Sequence, residues 1–149
     1  MTEIEFTRHV AAPADEIWEI LVDQPRWAEW SGFDSVEILR RSRRGAMRLL
    51  TSGEVGVREV IRVDPVGRRF TYRHLEGLPV RHYAGQVTLS PDPEGTTVVW
   101  RVRVEPLYLG SAVIVDVLRR VIDEAIDGLC ETAERQWRTT GFRIVESIR

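Results

Sequence analysis

The chain carries one cysteine, Cys130, in 149 residues. An intrachain disulfide is therefore excluded, and a thiolate metal site has no second sulfur. Apolar runs are short, so no segment reaches the length of a membrane span. The opening Thr2-Glu3-Ile4-Glu5 has neither the basic region nor the apolar core of a signal peptide. A net charge of −2 gives no global attraction to nucleic acid or to an anionic membrane. The GxxxxGK phosphate loop, the dinucleotide GxGxxG, the zinc HExxH and the nucleophile elbow GxSxG are all missing. His9, His74 and His82 do not stand at metal-ligand spacing. The expectation is a cytoplasmic protein without cofactor, metal, nucleic-acid partner or membrane span. Any catalysis it performs is then acid–base chemistry on side chains alone.

What is present describes one globular domain over 1–149, with 43% apolar and 30% charged residues. Glu3 to Val10 alternates between the two sides of a strand. Pro13 followed by Ala14-Asp15-Glu16 is a helix start, with proline at the first position and acids in the first turn. Ile17, Trp18, Ile20, Leu21 and Val22 form its apolar stripe, and Asp23-Gln24-Pro25 ends it. Arg26 to Trp30 reads as a second short helix with Trp27 and Trp30 on one face.

Strands are expected near 35–41, 46–52, 55–63, 69–76, 80–90 and 96–105, separated by glycine- and proline-bearing turns. Their hairpin spacing indicates an antiparallel meander. A long amphipathic helix is expected from Ser111 to Trp137, with Ile114, Leu118, Val121, Ile122, Ala125, Leu129 and Ala133 on its apolar side. Gly128 interrupts that helix at a cost of roughly 1 kcal/mol relative to alanine. It either is simply tolerated or admits the close approach of a strand or ligand. The predicted architecture is α+β: a curved antiparallel sheet of about seven strands wrapped around the long C-terminal helix. The gap between them is where a ligand fits.

Turn chemistry also suggests registers. Val63 opposite Phe70, Leu89 opposite Val98 and Tyr72 opposite Tyr83 agree in parity. They gather Val57, Glu59, Ile61, Tyr72, His74, Tyr83, Val87, Trp100 and Val104 on the helix-covered face. Arg58, Arg62, Arg69, Arg73, Arg101 and Arg103 fall on the other, a solvated face. The register of 46–52 stays open, with either Met47 or Arg48 beside Glu59.

The apolar face is broken by few polar groups. Glu59, His74 and Arg81 form an expected cross-strand row, with Glu59 and His74 as candidate catalytic residues. Tyr72, Arg81, Tyr83, Trp100 and Tyr108 are candidate ligand contacts. Structural readings stand beside these. Glu59 and His74 also suit an ion pair, and Tyr72, Tyr83 and Trp100 suit a core. Arg40, Arg41, Arg43 and Arg44 suit a solvated turn.

The stretch Ala12-Pro13-Ala14-Asp15-Glu16-Ile17-Trp18, with Leu21, Asp23, Trp27 and Trp30, resembles the opening of the START-like (SRPBCC, Bet v 1-like) superfamily. The segments Val57-Arg58-Glu59, Gly77-Leu78-Pro79-Val80 and Tyr83-Ala84-Gly85 resemble its polyketide cyclase/dehydrase and lipid-transport branch. The resemblance spans essentially the whole chain. It implies a helix-grip fold and an elongated hydrophobic cavity, without a motif that transfers an active site residue by residue. Its members include ligand carriers, aromatase/cyclases, hydrolytic or condensing enzymes and chaperone regulators, and fold does not choose among them. The expected partner is a small hydrophobic or aromatic molecule, polyketide- or lipid-like. Three functions remain open: a binding protein, a cofactor-free cyclase or dehydratase, and a chaperone-regulator-like interaction module. The oligomeric state, monomer or homodimer, is also open.

Overall fold

The computed structural model describes residues 1–108 and 112–148, with side chains described up to residue 140. β1 (Thr2–Val10) leads through Pro13 into α1 (Ala14–Val22), a 3-10 turn (Gln24–Arg26) and α2 (Trp27–Trp30). The meander follows as β2 (Ser35–Ser42), β3 (Gly45–Ser52), β4 (Val55–Asp64), β5 (Arg69–Glu76), β6 (Val80–Asp92) and β7 (Gly95–Pro106). α3 (Ala112–Ile148) closes the fold. The seven strands form one sheet in the order β1-β7-β6-β5-β4-β3-β2, antiparallel throughout. This is the helix-grip architecture expected from the sequence.

Alternation decides which face of the sheet is covered. Val57, Ile61, Phe70, Tyr72, Tyr83, Val87, Leu89, Val98, Trp100, Val102 and Val104 are buried. They pack toward Ile114, Leu118, Ile122, Ala125, Ile126, Leu129 and Ala133 of α3. Along β4 to β7 the arginines between them point to solvent. Arg101 pairs with Glu5 at 3.3 Å and Arg103 with Glu3 at 3.4 Å, as a solvated face requires.

Three expectations change. The β5–β6 pairing sets Tyr72 opposite Gly85 and Phe70 opposite Val87, two residues from the predicted register. The face assignment survives because a two-residue slip conserves parity. The tip is wider than a tight hairpin because the Leu78 N–H turns back onto Nε2 of His74 at 3.1 Å. Val63 lies at the sheet's rim and is half exposed instead of covered. Finally, α3 continues to Ile148 instead of ending near Trp137. The hydroxyls of Thr139 and Thr140 bond back to the carbonyls of Arg135 and Gln136 just beyond that point. The expected helix start at Ser111 lies outside the described residues.

Gly128 has a specific reason. A Cβ there would stand 2.0 Å from the carbonyl oxygen of Trp30. The close approach is therefore with the end of α2, and it lets α3 press the two tryptophans onto the sheet. Trp27 and Trp30 meet at 4.5 Å between ring centroids, with their planes tilted by 46°. Trp27 is locked further by its indole N–H, which donates to the Leu21 carbonyl at 2.7 Å.

Candidate functional site

Between the concave face of the sheet, α2 and the first half of α3 lies a cavity of about 280 Å³. Leu50, Val57, Leu78, Leu118, Val121 and Ile122 give it apolar walls. Its polar groups come from Arg48 and the exposed Ser52 on β3, Glu59 on β4, Tyr72 on β5, Tyr83 on β6 and Trp100 on β7. Each of five successive strands thus supplies one buried polar side chain to it.

The arginine governs the charge of the site. Arg48 stands opposite Glu59 across β3 and β4. Its Nε and Nη2 donate to Oε1 of Glu59 at 3.0 and 2.7 Å, and its Nη1 donates to Oε1 of Gln24 at 2.8 Å. The Gln24 amide is itself oriented by donation to the Val22 carbonyl. The guanidinium lies over Trp27 at 4.1 Å and within 5.5 Å of the Phe70 and Tyr72 ring centroids. Both members of the ion pair are buried. A buried pair of this kind persists only with such additional hydrogen bonds and π-faces around it.

A second polar group sits beside it. The Trp100 indole N–H donates to the Tyr72 hydroxyl at 3.1 Å, and the hydroxyls of Tyr72 and Tyr83 are hydrogen-bonded at 3.0 Å. Burial, and next the negative charge of Glu59, push the Tyr72 phenol upward. The Tyr83 phenol is also raised, by burial first and then by Tyr72 and Glu59. Both therefore remain protonated donors at neutral pH. Gly85 makes room for the arrangement: a Cβ there would fall 2.1 Å from Cζ of Tyr72.

Of the predicted site residues, Glu59, Tyr72, Tyr83 and Trp100 line this cavity together. His74 is opposite Glu59 in the β4–β5 ladder, yet its ring is turned to the loop and accepts the Leu78 N–H. It thereby holds the segment that brings Leu78 to the cavity. Its imidazole is shifted downward, because desolvation outweighs the attraction of Glu59. Arg81 does not face the cavity. A register shift between Val80 and His82 makes Arg81 the extra residue of β6, reverses its side and leaves it exposed near Glu105 at 3.7 Å. Tyr108 is exposed beyond the end of β7. Among the described residues there is no cluster of His, Cys, Asp or Glu suited to a metal.

Sequence reasoning leaves Arg48 open as an alternative to Met47 beside Glu59, and it does not include Gln24. A signal for Arg48 existed in Ser52-Gly53-Glu54-Val55. A two-residue turn there pairs Ser52 with Val55 and, counting back, Arg48 with Glu59. Gln24 carried no such signal, since its contact depends on how α1 docks on the sheet.

The sequence profile described as polyketide cyclase/dehydrase and lipid transport matches residues 1–134. The chain belongs to that family. Among solved structures, this polyketide cyclase/dehydrase and lipid-transport domain is similar to the Zhui aromatase/cyclase from Streptomyces. The identity is 27% over 94% of this chain and 98% of that one, with a TM-score of 0.84. The protein XoxI from Bacillus cereus shares the fold at 14% identity, covering 89% of this chain and 95% of that one, with a TM-score of 0.77. A Thermobifida fusca protein does so at 23% identity, covering 91% and 95%, with a TM-score of 0.72. No curated protein matches. Among the described residues no helix is long and apolar enough to cross a membrane.

Proposed function

We propose that the cavity binds a small hydrophobic or aromatic molecule of polyketide-like chemistry and promotes its cyclisation or dehydration by acid–base catalysis on side chains. One observation carries the reading: in a cavity with otherwise apolar walls, an Arg48-held carboxylate and a protonated tyrosine pair sit on neighbouring strands. Membership of the polyketide cyclase/dehydrase family and the likeness to an aromatase/cyclase support the same chemistry.

In this reading Glu59 accepts a proton from a carbon or hydroxyl of the bound molecule. Arg48 holds the carboxylate in place and balances its charge. The hydrogen-bonded Tyr72–Tyr83 pair donates its one spare hydrogen to a carbonyl oxygen on which negative charge develops. Attack of an enolate on a carbonyl forms the ring C–C bond and leaves an alkoxide, which takes back the proton held by Glu59; for the loss of water Glu59 then removes a second proton from carbon and returns it to the departing hydroxyl. The apolar walls exclude water and strengthen both interactions. Acid–base assistance of this type is worth about 10²–10⁴-fold in rate.

The test is turnover of a poly-β-ketone substrate analogue by the intact protein and by Glu59→Gln. Loss of turnover with analogue binding retained supports catalysis. Equal turnover in both proteins removes Glu59 from the chemistry. Binding by both with turnover by neither turns the reading into that of a carrier.

A further inference from the structure

The hydrogen-bonding capacity facing the cavity can be counted atom by atom. Oε1 of Glu59 accepts both Arg48 contacts to that residue. Oε2 accepts none of the hydrogen bonds among the described residues. Nor is it sealed off, because the fully buried side-chain polar atom without a partner is Nε1 of Trp30. Glu59 is only 3% exposed and lines the cavity, so the space that Oε2 touches is the cavity itself. All three nitrogens of Arg48 are meanwhile engaged, two with Glu59 and one with Gln24.

The aromatic group adds the opposite capacity. Trp100 N–H, Tyr72 O–H and Tyr83 O–H supply one hydrogen each, and their mutual contacts are Trp100 to Tyr72 and Tyr72 to Tyr83. The indole hydrogen fills the first contact and one hydroxyl hydrogen fills the second. Whichever tyrosine donates, one phenolic hydrogen is left over. Besides the hydroxyl of the exposed Ser52, the cavity therefore offers one free carboxylate oxygen and one free phenolic hydrogen.

We propose that this site selects a neutral ring molecule that carries both a hydroxyl and an oxygen acceptor, and that it rejects carboxylate ligands. The inference rests on the cavity being the binding site. A ligand hydroxyl gives its hydrogen to Oε2 of Glu59, and a ligand carbonyl or hydroxyl oxygen receives the spare phenolic hydrogen. A wholly apolar ligand would cover Oε2 and leave it unpaired, which is unfavourable. A ligand carboxylate would face Glu59 as a like charge in an apolar site. Arg48 offsets that repulsion poorly, since its charge is already balanced by Glu59 and each of its nitrogens already donates to Glu59 or Gln24. The volume of about 280 Å³ is about nine times the ~30 Å³ occupied by one molecule of liquid water, which suits a bicyclic ring better than a long chain.

The experiment compares naphthalene, 1-naphthol and 1-naphthoate at neutral pH. Binding is followed by the indole N–H NMR signals of Trp27 and Trp100, both of which line the cavity. The expected order places 1-naphthol tightest and 1-naphthoate at least about tenfold weaker. Glu59→Gln, which retains an acceptor but no charge, brings 1-naphthoate closer to 1-naphthol. Naphthoate binding as tightly as naphthol to the wild-type protein overturns the inference, and that comparison needs no variant. If none of the three ligands moves either indole signal, the cavity is no binding site, and both the proposed function and this inference fail. If naphthalene binds but naphthol is not preferred to naphthoate, this inference alone fails.

Discussion

Arg48 and Glu59 face each other across neighbouring strands, and the guanidinium places two of its donors on a single carboxylate oxygen, at 2.7 and 3.0 Å. This makes the polar centre of the cavity electrically neutral while leaving half of the carboxylate available. It also makes the two charges depend on each other. Replacing Arg48 by methionine leaves Glu59 as an uncompensated buried charge and is expected to cost about 3–5 kcal/mol. Arg48→Met combined with Glu59→Leu removes both charges and should recover most of that loss. Urea unfolding of the two variants and the wild type checks this. A double variant as unstable as the single one would show that Arg48 contributes through packing on Trp27, and not through Glu59.

The tyrosine pair predicts an asymmetry. The Tyr72 hydroxyl is the acceptor for the Trp100 indole N–H. Tyr72→Phe strands that donor in the core, at a cost of about 1–3 kcal/mol. Tyr83→Phe removes one contact to Tyr72 and leaves the Trp100 bond in place, so about 0.5–1.5 kcal/mol is expected. Thermal unfolding of both variants should rank Tyr72→Phe below Tyr83→Phe. The opposite order would mean that the Trp100 N–H finds another acceptor once the Tyr72 hydroxyl is gone.

The face that became the cavity wall was readable because alternation is insensitive to a slip of two residues. Tyr72 and Tyr83 were placed on the correct side even though Tyr72 pairs with Gly85. Arg81 was misplaced because an extra residue in β6 reverses parity locally, and no composition signal marks it. The proposed partnership of Glu59 with His74 followed from correct strand pairing. It did not anticipate Arg48, whose register had been left open, nor the loop N–H that occupies His74. Strand pairing fixes which residues are neighbours, whereas rotamer and loop closure decide which of them bond.

Gly128 yields a prediction whose sign differs from the usual rule. Glycine to alanine within a helix ordinarily stabilises by about 1 kcal/mol. Here the new methyl would meet the Trp30 carbonyl at 2.0 Å. That atom belongs to backbone held between α2 and α3, and it cannot swing aside. Gly128→Ala should therefore destabilise, by about 1–3 kcal/mol as for other overpacked sites. The near-ultraviolet circular dichroism of the packed tryptophans should change with it. A stabilised variant with an unaltered spectrum would show that α3 moves freely relative to Trp30.

His74 gives a pH dependence with a defined direction. Its folded-state pKa is lowered from 6.5, chiefly by desolvation, against the opposing pull of Glu59. The unfolded chain then binds a proton more readily than the folded one, so its contribution to stability is fully present above pH 6.5. That contribution declines as pH falls through the unfolded value and is lost once pH is below the folded one. Protonation also removes the lone pair that accepts the Leu78 N–H, so the loss should be localised to the β5–β6 loop. His74→Asn keeps a side-chain acceptor without a titrating ring and should flatten this part of the profile. The measurement is stability against pH in both proteins, together with amide exchange at Leu78. Faster exchange at Leu78 on acidification in the wild type alone is the expected result. The same acid slope in both proteins would assign it to other groups.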